Sequence, residues 1–236
     1  MLELHQFRHS AFCEKVRLVL AAKRLPYRVV EVTPGVGQLQ LYRLSGQRQV
    51  PVLVDGAEVI ADSTAIARHL EAAHPEPVLL PADPALRAQV LLLEDWADTA
   101  LAAGARLALV QAAAADSILR GGLLPEATPS PLRSLVEGLP GGVLSSVGQV
   151  IDHGGLEQLR SNLEHLCALV QAQPYLVGEQ LTLADLAVAA QLSLLHFPES
   201  AGAPLAGRGV PGLVDDPQLQ PLWTWRDGIG LQVGRS

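Results

Sequence analysis

Cysteine is nearly absent. The chain has two in 236 residues, Cys13 and Cys167, too far apart to form a disulfide framework. The seven histidines are scattered, and no Cys or His pair stands at zinc-ligand spacing, so no metal is expected. Positive charge is in the minority: 17 Lys and Arg against 24 Asp and Glu give a net charge of −7. That balance, with no basic stripe carrying interleaved aromatics, argues against nucleic acid as a partner. Every apolar run is broken by charge or glycine before bilayer length, so no membrane span is expected. The first residues lack a basic segment followed by an apolar one, and the chain reads as cytoplasmic. What remains is an apolar-rich composition, 49% hydrophobic, long enough for one large domain or two modest ones.

The first seventy-five residues alternate between strand and helix signals. Residues 2–7 read as a strand and 11–25 as a helix stopped by Pro26. A second strand is expected over 27–33 and a weak helix over 38–44. Two further strands, 50–54 and 57–60, flank the hairpin signal Asp55-Gly56, and a helix follows over 62–73. Prolines 75, 77, 81 and 84 then mark an extended linker over 76–84. Beyond it the strand signals end. Helices are expected over 85–119, with a kink near Gly104, and over 157–171, 183–196 and 219–231. The third of these is headed by Thr182 and Asp185 in an approximate capping box. Residues 121–155 form a Gly-, Pro- and Ser-rich insert with one short helix near 132–137, and 198–217 is a second irregular stretch. The division is 1–75, an α/β domain; 76–84, linker; and 85–236, an all-α domain.

The opening turn carries the chemistry. Ser10 stands near the N-cap of the first helix and Cys13 about one turn in, at the positive end of the helix dipole. Unsatisfied N–H groups there favour an anion, and a thiolate is one. Serine is also an ordinary N-cap, and a lone helical cysteine is commonly a buried small hydrophobe.

The arrangement resembles the soluble glutathione transferase superfamily over nearly the whole chain. Four landmarks carry the resemblance, in order: Ser10-x-x-Cys13, Gln49-Val50-Pro51, Asp62-Ser63 and Thr182-x-x-Asp185. It implies a thioredoxin-like α/β N-terminal domain and an all-α C-terminal domain with a hydrophobic substrate pocket. It also implies glutathione as co-substrate, no metal, a small hydrophobic electrophile as the other substrate, a detoxifying role and a homodimer. A cis Pro51 would turn the strand outward so that the cysteinyl part of glutathione pairs with Val50. Ser63, at a helix N-terminus, suits the γ-glutamyl carboxylate, and Asp62 its amine. Ser10 matches the hydroxyl that stabilises the glutathione thiolate in serine-using classes. Thr182 and Asp185 are read as structural. Cys13, matching the second cysteine of a degenerate glutaredoxin turn, leaves a thiol–disulfide or dehalogenating activity as an alternative. A non-catalytic ligand-binding or interaction protein is another. Ala11 departs from the proline that many relatives have, and Gln38, Arg43, Arg48 and Gln49 are candidates for the glycyl carboxylate.

Overall fold

The computed structural model describes residues 1–33, 36–125, 128, 130–138 and 153–235. Strands β1 (Leu2–Gln6), β2 (Tyr27–Glu31), β3 (Val52–Asp55) and β4 (Glu58–Ala61) make one sheet in the order β2-β1-β3-β4. Helix α1 (Ala11–Ala22) carries the chain from β1 to its parallel neighbour β2, while β1–β3 and β3–β4 pair antiparallel. Both faces of the sheet are covered. Leu4 and Leu53 face α1 and α3 (Ser63–Ala73) in the main core; Val52 joins Val32 and Leu41 of α2 (Val36–Ser45) on the other side. That is why adjacent residues Val52 and Leu53 are both fully buried, where a half-exposed strand would alternate. Asp55 pairs with Glu58, so the hairpin turn is Gly56-Ala57, one residue later than the sequence suggests. Gly56 supplies the positive φ (61°) that the turn needs.

The remainder is helical, as the α/β-then-all-α reading expects. Asp83 caps α4 (Pro84–Trp96) by accepting from the Ala85 and Leu86 amides at 3.0 and 2.9 Å. The long helix expected over 85–119 is divided differently from the forecast kink. A π turn spans Ala97–Leu101, followed by α5 (Ala102–Ala115) and a short α6 (Ser117–Gly122). Gly104 is not the irregular point. A Cβ there would stand 3.2 Å from Leu159 Cδ1, so this glycine lets α5 and α8 (His153–Ala172) approach closely. The short helix forecast near 132–137 is α7 (Ser130–Glu137). Most other expectations for the 121–155 insert fall on 126, 127, 129 and 139–152, outside the described residues.

Helix α9 (Leu183–Leu192) is buried along its whole length, and its alanines allow α1 and α4 to pack against it. Its start is fixed by Asp185, which accepts from the Thr182 amide and hydroxyl (2.8 Å each) and from the Leu176 amide (2.7 Å). The α10 helix (Gln220–Gln232) closes the far side, with Trp223 fully buried. The proline-rich stretch after α3 is fastened rather than loose. Leu79 and Leu80 are buried, their amides donate to Glu71 at 3.0 Å, and Leu79 O accepts from Leu183 N at 2.9 Å.

One buried charge cluster ties these layers together. Lys15 of α1 is fully enclosed, with Nζ 2.5 Å from Glu94 of α4, 2.5 Å from Asp98 of the π turn and 3.1 Å from the Thr64 hydroxyl. Gln191 of α9 reaches Asp98 at 3.5 Å. Removing one partner of a buried pair leaves the others uncompensated, at about 3–5 kcal/mol. Lys15→Met should therefore lower stability in urea unfolding by about that amount. Adding Glu94→Gln and Asp98→Asn should recover most of the loss. An unchanged unfolding midpoint in Lys15→Met would show that the cluster does not hold the layers.

Candidate functional site

Strand register decides which loops meet. His5 of β1 lies opposite Val52 of β3, and Val52 opposite Ala61 of β4. The turn after β1, the Val50–Pro51 peptide and the Asp62–Ser63 turn therefore gather at one end of the sheet. Ser10, Val50, Pro51, Asp62 and Ser63 all lie there. The Val50–Pro51 bond is cis, as the resemblance implies.

Ser10 is the N-cap of α1. Its amide donates to Phe7 O at 3.0 Å, its carbonyl accepts from Glu14 N at 2.9 Å, and its hydroxyl oxygen accepts from Cys13 N at 3.4 Å. The hydroxyl accepts from the helix and can donate in turn, and the same side chain is in hydrogen-bond contact with the Cys13 sulfur. Cys13 sits differently. Its side chain has no exposure, and burial pushes the thiol above its ordinary value of 9.0 against the weaker pull of contacts with Ser10 and the Phe7 backbone. A buried, protonated thiol is a poor nucleophile.

Asp62 takes a positive φ of 81°, uncommon for a non-glycine residue, and its Oδ1 caps α3 through the Thr64 and Ala65 amides at 3.0 Å each. The residue as a whole is exposed. Ser63 is buried, and its hydroxyl donates to Asp98 Oδ2 at 3.4 Å. This joins the candidate site to the Lys15 cluster. Burial raises the Asp98 carboxyl above its ordinary value, although Lys15 pulls it down.

Sequence reading missed Lys15, Glu94, Asp98 and Gln191. A lysine between Cys13 and Val16 of an amphipathic helix, and carboxylates four apart further along the chain, were the available signals; neither says that the two meet. It also missed a cleft of about 260 Å³ that Ser10 borders together with Gln6, Arg8, Arg17, Phe197 and Arg235. Val50, Pro51, Asp62 and Ser63 do not line that cleft. Among the described residues, no group of His, Cys, Asp or Glu is placed to hold a metal ion, and no helix is long and apolar enough to cross a membrane.

Comparison with known proteins falls on the same two halves. The family described as "Glutathione S-transferase, N-terminal domain" matches residues 4–78, and "Glutathione S-transferase, C-terminal domain" matches 154–215. The chain is 32% identical over 198 residues to FtsZ-localized protein A of Caulobacter vibrioides, covering 82% of this chain and 77% of that protein. It is 38% identical over 85 residues to glutathione S-transferase Z1 of Arabidopsis thaliana, covering 35% of this chain and 38% of that protein. A crystal structure of a glutathione S-transferase from Rhodospirillum rubrum F11 superposes with a TM-score of 0.67 at 26% identity. It covers 98% of this chain and 88% of that one.

Both cysteines are buried and free, which gives a direct check on the Cys13 alternative. A chromogenic disulfide reagent at pH 8 should find no rapidly reacting thiol in the native protein and both after unfolding. Raising the pH to 9 should change little, because the folded Cys13 thiol ionises above its ordinary value. Fast native labelling at position 13 would favour the alternative thiol-exchange activity over conjugation through Ser10.

Proposed function

Because the chain belongs to the glutathione S-transferase family, we propose that it binds glutathione at the sheet end described above and conjugates it to a small hydrophobic electrophile. The observation that carries this reading is Ser10: a partly exposed hydroxyl at a helix N-terminus, beside a cysteine too buried to compete. In the proposed complex the tripeptide extends along the Val50 backbone beside Pro51. Its γ-glutamyl end meets Asp62 and the start of α3. The Ser10 hydroxyl donates to the glutathione sulfur, lowers its pKa and supplies a thiolate at neutral pH. A cytoplasmic, detoxifying role belongs to the same reading.

A second reading has its own observation. The match to FtsZ-localized protein A spans 82% of the chain and so reaches into both halves, whereas the zeta-class match spans 35%. It favours an interaction protein on the same scaffold, associating with FtsZ and needing no turnover. Binding to purified FtsZ, measured alongside an electrophile panel, separates the two: turnover without binding supports the enzyme, and binding without turnover the interaction protein.

Calorimetric titration with glutathione tests the site. Asp62→Ala and Ser63→Ala should each weaken binding at least several-fold, since a hydrogen bond to a charged group contributes about 1.5–3 kcal/mol. Ser10→Ala should cost about 10²-fold in conjugation rate and raise the apparent pKa of bound glutathione. Wild-type affinity in both the Asp62 and Ser63 variants would sink the assignment.

The proposal includes a homodimer in which β4 and α3 of one copy meet α4 and α5 of the other. Apolar Val59 on β4 and Leu92 on α4 stand 39% and 71% exposed, which suits such an interface. Sedimentation should give twice the 25.0 kDa chain mass at micromolar concentration. A concentration-independent monomer would exclude the arrangement.

A further inference from the structure

The turn that presents Ser10 is held between two opposite charges joined through neutral groups. Glu31, the last residue of β2, accepts from the Gln6 side-chain amide at 3.1 Å and from the Arg8 backbone N–H at 2.7 Å. Arg17, from the middle of α1, takes the other end of the same two groups. It donates to Gln6 Oε1 at 2.6 Å and to Arg8 O at 2.8 Å. Carboxylate, side-chain amide, guanidinium and main chain thus close a ring. Phe7 lies in the chain between its two bridges, and the Phe7 carbonyl accepts from the Ser10 N–H at 3.0 Å.

The ring therefore brings charge of both signs to one helix terminus. Glu14 accepts from Arg17 Nε at 2.7 Å, but it also pairs with Arg235 at 3.4 Å, so one carboxylate serves two guanidinium groups. Arg8, His9 and Tyr27 are the other titratable groups bordering the cleft beside Ser10. The Cys13 sulfur, in contact with Ser10, feels both ends of the ring: Arg17 favours its thiolate form and Glu31 opposes it. At Cys13 burial outweighs the two charges. Ser10 is partly exposed, so a sulfur held at its hydroxyl would meet the same two charges without being sealed in the core. The charges differ in depth. Arg17 is buried and Glu31 exposed, so solvent screens Glu31 more and Arg17 has the stronger effect.

We propose that Arg17 and Glu31 are positioning residues for the sulfur that Ser10 receives: together they fix the turn, and their charges act on a thiolate there in opposite senses, Arg17 for it and Glu31 against it. The fork of Arg17 matters as well as its charge, because two N–H groups at fixed spacing reach Gln6 and Arg8 at once. That the sulfur belongs to glutathione rests on the transferase reading; the opposed charges at position 10 do not.

The test places a thiol at that position. In the full-length chain carrying Ser10→Cys, with Cys13→Ala to remove the neighbouring sulfur, the pH profile of alkylation by iodoacetamide reads ionisation of the introduced thiol. Adding Arg17→Gln should slow alkylation at pH 7 about three-fold or more and move the profile to higher pH. Adding Glu31→Gln should speed alkylation and move the profile to lower pH, by a smaller amount. Arg17→Lys, which keeps the charge but not the fork, should stay closer to the parent than Arg17→Gln does. A ring that served only as scaffold would loosen when either end is cut and would shift both profiles the same way. Shifts of one sign, or none in either variant, would overturn the proposal. Should Arg17→Gln not fold, Glu31→Gln on its exposed residue decides alone: an unchanged or raised profile would be fatal. With Ser10 and Cys13 in place, the thiolate absorbance of bound glutathione should follow the same two signs, and glutathione that does not follow them would overturn the assignment to its sulfur. Opposite shifts of the introduced thiol in a protein that binds no glutathione would remove the transferase reading and leave the opposed charges standing.

Discussion

A single ammonium group, that of Lys15, is the interaction on which the arrangement of this protein turns. It is fully buried between two carboxylates and a hydroxyl contributed by three other segments. Taking an ammonium out of water is costly, so the group is tolerable only where several partners surround it at once. The partners come from both halves of the chain: Thr64 lies in the first turn of α3, and Glu94 and Asp98 belong to α4 and the π turn that follows it, beyond the proline-rich stretch. The cluster fixes how the sheet domain sits on the helical one. Because Ser63 reaches Asp98, it also fixes the turn that the proposed glutathione site shares.

The π turn at Ala97–Leu101 belongs to the same constraint. An inserted π turn adds a residue to the helical register, and such bulges are frequent where a side chain must be re-aimed. Here the turn contains Asp98, which faces Lys15, Thr64, Ser63 and Gln191 together. Gly104, the residue whose composition suggested a kink, has a packing role instead, admitting Leu159. The irregularity of the helix follows the charge rather than the glycine.

Around the opening turn, burial separates two residues that sequence alone leaves in competition. Ser10 and Cys13 share one helix terminus and the same favourable dipole. The thiol is sealed in the core, and desolvation raises its pKa by more than the nearby polar groups lower it. The hydroxyl stays partly exposed beside a cation-lined cleft. Position in the chain gave both the same electrostatics, and depth in the fold distinguishes them.

Much of this was legible in the chain by itself, because it is written in local signals. Caps, prolines, strand alternation and the Gly56 turn act over a few residues, and they locate most elements to within a few positions. The order of four short motifs was enough to suggest the family. The sequence also placed Ser10, Pro51, Asp62 and Ser63 at element ends, where chemistry is commonly found. Only the tertiary structure could decide that Lys15 meets Glu94 and Asp98 across 79 and 83 residues, or that Ser63 turns toward Asp98. The same holds for Arg8, Arg17 and Arg235 lining one cleft. Local propensity is a property of neighbours along the chain, whereas a buried charge chooses its partners through the geometry of packing. That geometry exists only once the layers are in contact.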